Sequence, residues 1–133
     1  MRFVLAIDMG STSLKAVVVS NGGEIAASAL RPISTELLPD GGAEQDPEAW
    51  WRAALDASKE ALLGANVGAE KIVAVACTTM WAVTVPVDQG GNALCPALTW
   101  MDTRGGPYAR AIARTAGPRS RDTVPANSRD GCG

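Results

Sequence analysis

The stretch FVLAIDMGSTSLKAVVVS, residues 3–20, restricts the possible folds of this chain more than any other. Two runs rich in Val, Ile, Leu and Phe flank a short polar interruption, Asp8-Met9-Gly10-Ser11-Thr12-Ser13, and Lys15 follows just behind it. Runs this short, bounded by turn residues, read as buried strands over Arg2 to Ile7 and Leu14 to Ser20, joined by a tight turn. The first run is broken by Asp8 too early for a signal sequence or a membrane span, so a cytoplasmic location is expected.

The pattern continues in the same style. Asn21-Gly22-Gly23 is a hairpin signal, and Glu24 to Ile33 supplies a third strand returning beside the second. After the turn-rich Leu38-Pro39-Asp40-Gly41-Gly42, the triplet Asp46-Pro47-Glu48 offers an N-cap acid, a proline at the first helical position and a first-turn acid. A helix of about five turns is expected from there, with Trp51, Leu55 and Leu62 facing the core beside Ala54 and Ala61, and Gly64 ending it. Lys71 to Cys77 reads as another buried strand and Ala82 to Val87 as a further one. Asp88-Gln89-Gly90-Gly91-Asn92 reads as a hairpin loop leading to a short strand near Ala97 to Trp100. Tyr108 to Thr115 suits a helix. The order β-β-β-α-β, then a hairpin and a helix, predicts a mixed sheet of α/β type.

Composition narrows the chemistry. The 133 residues, 47% apolar and 20% charged, suit one domain with its own core. A net charge of −2 without long like-charge runs gives no footprint for nucleic acid. The chain has no histidine, which excludes imidazole bases, Ser-His-Asp triads and the usual zinc ligand sets. Cys77, Cys95 and Cys132 form no C-x-x-C pair and read as small buried hydrophobes or an incidental tail thiol. From Gly117 onward the chain turns polar and arginine-bearing, with Val124 its one aliphatic residue above alanine, and reads as a disordered tail.

The polar interruption is where chemistry belongs. A strand ending in Asp8 and turning through Gly10 brings several backbone N–H groups together without side-chain bulk, and such a nest binds phosphate oxygens. The hydroxyls of Ser11, Thr12 and Ser13 add hydrogen bonds, Lys15 adds positive charge, and Asp8 can hold a hydrated Mg²⁺. An ordinary hairpin turn has the same residue types.

AIDMGSTSLKAVVV resembles the first phosphate motif of the actin-like (ribonuclease H-like) sugar-kinase ATPases, in particular the FGGY carbohydrate kinases. GGAEQDPEAWW resembles the start of their first long helix. IVAVACTTMWAVTVPVDQGGNALCPALTWMDTRG resembles the strand, sugar-contacting turn, hairpin and W-x-D-x-R segment that follow. The resemblance covers roughly residues 3–116. It implies an incomplete N-terminal kinase domain over 1–116, a non-homologous or disordered tail over 117–133, and ATP with Mg²⁺ as cofactors. By position, Thr79, Met80 and Trp81 occupy the turn that touches the sugar, and Trp100, Asp102 and Arg104 the neighbouring wall. An indole can cover the C–H face of a sugar, and Asp102 and Arg104 can bond hydroxyls or pair with each other. Trp50 and Trp51 are assigned to packing.

Glycerol kinases carry Arg-Glu where this chain has Met80-Trp81, which disfavours glycerol; xylulose kinases often show Met-His, so a ketopentose or related polyol is expected. The family reaction uses an aspartate general base and Mg²⁺ on the phosphates. No acid in this chain matches that base, and the adenosine site of such enzymes lies in their C-terminal domain. The expected picture is therefore a truncated kinase without activity alone. The rival readings are a non-catalytic phosphate- or sugar-binding module and a fragment of another actin-like ATPase.

Overall fold

In the computed structural model, which describes residues 1–115, the opening run forms a hairpin of β1 (Phe3–Met9) and β2 (Ser13–Ser20), in register from Phe3 opposite Ser20 to Met9 opposite Leu14. The Gly10 amide closes the turn by donating to the Ser13 carbonyl at 3.0 Å. A Cβ on Gly10 would lie 3.1 Å from that oxygen, so a side chain there would press on the turn. β3 (Ile25–Pro32) returns antiparallel to β2 through the Asn21-Gly22-Gly23 turn, where Gly23 takes a φ of 86° and the Ser20 hydroxyl accepts from the Gly22 and Glu24 amides.

Two short strands that the sequence did not announce flank the turn-rich segment. β4 (Glu36–Leu37) and β5 (Ala43–Gln45) pair antiparallel around Leu38–Gly42, and β5 also pairs with β7 (Ala97–Leu98). Strands of two or three residues leave too little period for alternation to register in the sequence. Between them run α1 (Pro47–Ala65), a 3-10 turn at Ala69–Lys71 and β6 (Ile72–Thr79), and α2 (Gly106–Thr115) closes the described chain. β6 lies parallel to β1, so the main sheet, in the order β3-β2-β1-β6, is the mixed sheet predicted.

α1 starts where expected, with the Asp46 carboxylate accepting from the Glu48 amide and Pro47 in the first turn. Its buried face is different. Trp50, Ala53, Ala57 and Ala61 pack onto the sheet, Leu62 and Ala54 lie at the margin, and Trp51 is 63% exposed, with Leu55 also exposed. The small residues let the helix axis approach β2 and β3 closely, and large side chains are displaced from that face. Gly64 does not end the helix. A Cβ there would stand 3.3 Å from the Ala27 Cβ, so glycine serves close approach, and Asn66 at φ 51° makes the left-handed cap. Leu14 and Val18 are the large side chains sealed beneath α1, each contributing roughly 1.5–3 kcal/mol by burial.

Three further expectations are corrected. β6 is exposed along most of its length, because α1 lies over β2 and β3 and leaves this edge strand uncovered. Ala82 to Val87 is no strand: it makes two isolated bridges, Thr84 with Leu98 and Val87 with Ala93, since Ala82 adopts φ 53° and Pro86 has no amide to donate. Cys77 and Cys95 are exposed thiols rather than buried hydrophobes. The expected tail, with Cys132, lies outside the described residues. Among the described residues no helix is long and apolar enough to cross a membrane.

Candidate functional site

Because β1 and β6 are parallel neighbours, their C-terminal ends open on the same edge of the sheet, the usual place for a ligand in α/β folds. Met9 stands opposite Thr79, and the Met80 amide donates to the Met9 carbonyl at 2.8 Å, tying the two chain exits together. Between them opens a cleft of about 400 Å³ lined by Asp8, Met9, Gly10, Ser11, Thr79, Met80, Trp81 and Trp100. Residues from the first polar turn and from the second, separated by some seventy positions in sequence, thus share one cavity. Trp81 and Trp100 each expose about half of their surface there.

Ser11 is the junction of this cleft. Its hydroxyl accepts from the Trp100 indole at 3.1 Å, and its carbonyl accepts from the Gln45 side-chain amide at 2.8 Å. The Thr12 carbonyl accepts from the Ile33 amide at 2.9 Å. The Gly10 amide is spent inside the turn, whereas the Ser11 and Thr12 amides have no protein acceptor among the described residues. An anion is held most readily by such paired, unengaged N–H groups.

The remaining expected residues lie elsewhere. Thr12, Ser13 and Lys15 do not line the cleft. Lys15 is the cross-strand partner of Asp8 and shares with it a smaller hollow of about 210 Å³ on the sheet face that α1 leaves open. Asp102 and Arg104 are directed into the protein. The Asp102 side chain, only 8% exposed, accepts from the Arg104 guanidinium and amide and from the Ala43 amide at 3.2 Å, while Arg104 also binds Glu44 at 2.6 Å. The Arg104 guanidinium, helped by the Ala43 amide and opposed by burial, holds the Asp102 carboxyl below its ordinary range; Asp102 and Glu44 in turn hold Arg104 above its own. Thr99 donates through both amide and hydroxyl to the Ala43 carbonyl, and Thr103 donates to the Gly41 carbonyl. The W-x-D-x-R segment is thereby fastened along the G-G-A-E-Q strand, and Trp100 projects from that seam to Ser11.

Gln45 is the residue that sequence reasoning missed. It is 2% exposed, and all of its amide chemistry is used: Nε2 donates to the Ser11 carbonyl and to the Thr35 hydroxyl at 2.7 Å, and Oε1 accepts from the Trp50 indole at 2.9 Å. Its one signal is a buried-type position immediately before an N-cap acid, which no periodicity marks.

Comparison with known proteins places this architecture. Residues 3–124 match the FGGY family of carbohydrate kinases, N-terminal domain. The chain is 32% identical over 113 residues to a glycerol kinase of Acinetobacter baylyi, covering 84% of this chain and 23% of that protein. It is 30% identical over 120 residues to a xylulose kinase of Staphylococcus xylosus, covering 90% and 24% of the two. The structure superimposes on the xylulose kinase of Rhodospirillum rubrum with a TM-score of 0.80 at 27% identity, over 90% of this chain and 24% of that one. Plasmodium falciparum glycerol kinase, solved with ADP, shares the fold at a TM-score of 0.75 and 20% identity, over 90% of this chain and 24% of that one. The chain spans about a quarter of the length of these relatives. The match over residues 3–124, with relatives at 30% identity and above, means that the chain belongs to the FGGY family of carbohydrate kinases, through their N-terminal domain.

Proposed function

We propose that this chain supplies the phosphate-binding turn and one sugar-facing wall of an ATP-dependent carbohydrate kinase, which moves the γ-phosphate of ATP onto a sugar or polyol hydroxyl. The observation that carries this reading is the single cleft joining Asp8, Gly10 and Ser11 to Thr79, Met80, Trp81 and Trp100. Phosphoryl transfer asks a protein chiefly for positioning and charge stabilisation, and a cleft with anion donors on one side and indole faces on the other meets both needs. In this reading the Ser11 amide receives a phosphate oxygen in the cleft and the Thr12 amide one at its margin, with Ser13 and Lys15, outside the cleft, adding donors behind them. Trp81 and Trp100 cover the C–H face of the sugar, Thr79 bonds a hydroxyl, and Met80 packs beside it. Asp102 and Arg104 act through the wall they brace.

Asp8 is the cleft's own carboxylate, and no cluster of three or more metal-ligating side chains forms among the described residues. That donor set fits Mg²⁺, which keeps several waters and takes one or two carboxylates together with phosphate oxygens. Bound there through Asp8, the ion supplies neutralisation of phosphate charge. The general base and the adenosine contacts come, in this reading, from the three quarters of such a kinase that the chain does not span. Met80-Trp81 favours a ketopentose or related polyol as acceptor. A cytoplasmic setting, where ATP is available and the exposed Cys77 and Cys95 stay reduced, completes the reading.

The test is a chimera in which residues 3–115 replace the matching part of the Rhodospirillum rubrum xylulose kinase, assayed for ATP consumption with a panel of ketoses and polyols. Turnover with at least one acceptor, lowered on the order of a hundredfold by Asp8→Ala, is expected. A folded chimera that binds ATP but phosphorylates nothing, or whose rate ignores Asp8→Ala, refutes the proposal.

A further inference from the structure

A trans peptide is planar, so a carbonyl and the N–H of the following residue point in opposite directions. The Ser11 carbonyl and the Thr12 amide share one such plane. Gln45 holds the carbonyl at 2.8 Å from within the protein, and the Thr12 amide on the far side has no acceptor among the described residues. We infer that Gln45 is a positioning residue for phosphate binding, which sets the tilt of the Ser11–Thr12 peptide and so aims the Thr12 N–H at the anion. The inference rests on the phosphate reading of this turn.

The geometry is unusually constrained for a side chain. Gln45 has two donors and an acceptor, and all are engaged on different elements: the turn, Thr35 and α1. Three bonds thus define its amide plane, two of which remain when either Thr35 or Trp50 is replaced, and the Ser11 peptide conforms to that plane. Trp100 holds the Ser11 hydroxyl from another direction, so the residue is clamped at two points and cannot swing to satisfy its own free amide. Preorganised donors of this kind stabilise charge without having to reorient when the ligand arrives.

The experiment follows the amide resonances of Ser11 and Thr12 in the full, ¹⁵N-labelled chain titrated with ATP. Gln45→Met keeps length and apolar packing but removes both donors. Thr35→Val and Trp50→Phe each break one of the other Gln45 bonds and leave the bond to Ser11. The expected result is that Gln45→Met moves the Thr12 resonance before ligand is added and weakens the ATP response about fivefold, whereas the two controls keep both near wild type. Gln45→Glu, which retains the Trp50 contact but sets a carboxylate against the Ser11 carbonyl, serves as a second variant should methionine prevent folding, with the same expectation. Equal weakening in the controls makes Gln45 merely structural and overturns the inference, as does an unaltered response in the Gln45 variants. Wild-type amides indifferent to ATP overturn both this inference and the phosphate reading; wild-type amides that respond, with a response that survives loss of Gln45, overturn the inference alone.

Discussion

Gln45 Nε2 donates to the Ser11 carbonyl across 2.8 Å, linking the residue before the long helix to the turn between the first two strands, 34 positions away. The same amide receives the Trp50 indole, so one buried side chain joins the helix, the second sheet and the cleft. Replacing it with leucine strands a buried indole N–H and a carbonyl. We expect Gln45→Leu to lower unfolding free energy by about 2 kcal/mol, measured by urea denaturation; a loss below a few tenths would mean that these bonds add nothing net.

The adjacent tryptophans should differ sharply. Trp50 is buried and hydrogen-bonded, whereas Trp51 is 63% exposed. Trp50→Ala should cost about 3 kcal/mol or more, and Trp51→Ala about 0.5 kcal/mol or less, in the same denaturation assay. Reversed or equal costs contradict the observed helix face.

Asp102 couples stability to acid. Its carboxyl is held below the ordinary value of 3.8, chiefly by Arg104. The unfolded chain therefore binds a proton there at higher pH than the folded one does. The contribution is complete above the ordinary aspartate value and is lost as pH falls through the depressed folded value. Thermal melts should show wild-type stability falling below about pH 4 more steeply than that of Asp102→Asn, which has lost the titrating group. Parallel acid profiles would argue against the pair.

Gly41 adopts φ 88°, and a Cβ there would collide with the Thr103 hydroxyl. Gly41→Ala should destabilise by about 1–2 kcal/mol from the backbone conformation alone, with added loss where the Thr103 contact gives way. Because that contact fastens the segment carrying Trp100, quenching of tryptophan fluorescence by acrylamide should rise as well. Unchanged quenching would separate the turn from the cleft wall.

β6 presents an uncharged strand, Ile72–Thr79, with Val73 and Val75 exposed. Such an edge templates pairing with other chains. Concentration-dependent self-association of the purified chain is expected in sedimentation velocity, and Val75→Lys should suppress it. Association unaffected by that lysine would locate the sticky surface elsewhere.

Much of this was legible locally. The β1–β2 hairpin, the Gly23 turn and the Asp46-Pro47 helix start were readable because each depends on residues within a few positions of one another. The buried face of α1 was not: Trp51 and Leu55 have the more hydrophobic side chains, but close approach to β2 and β3 selected Ala53, Ala57 and Ala61. β6 looked like interior because its composition is apolar, and only the position of α1 over its neighbours shows that it is not.

The primary structure determined where strands turn, where the long helix begins and which segments resemble FGGY kinases, since those properties reside in short runs of residues and their backbone preferences. Which of the candidate residues meet was decided by the tertiary structure. Ser11 and Trp100 are joined across 89 positions, and Asp102 and Arg104 are folded back onto Ala43 and Glu44. A contact of that kind is settled by parallel pairing of β1 with β6 and by the pairing of β5 with β7, which bring distant chain segments to the same edge, and no local pattern encodes it.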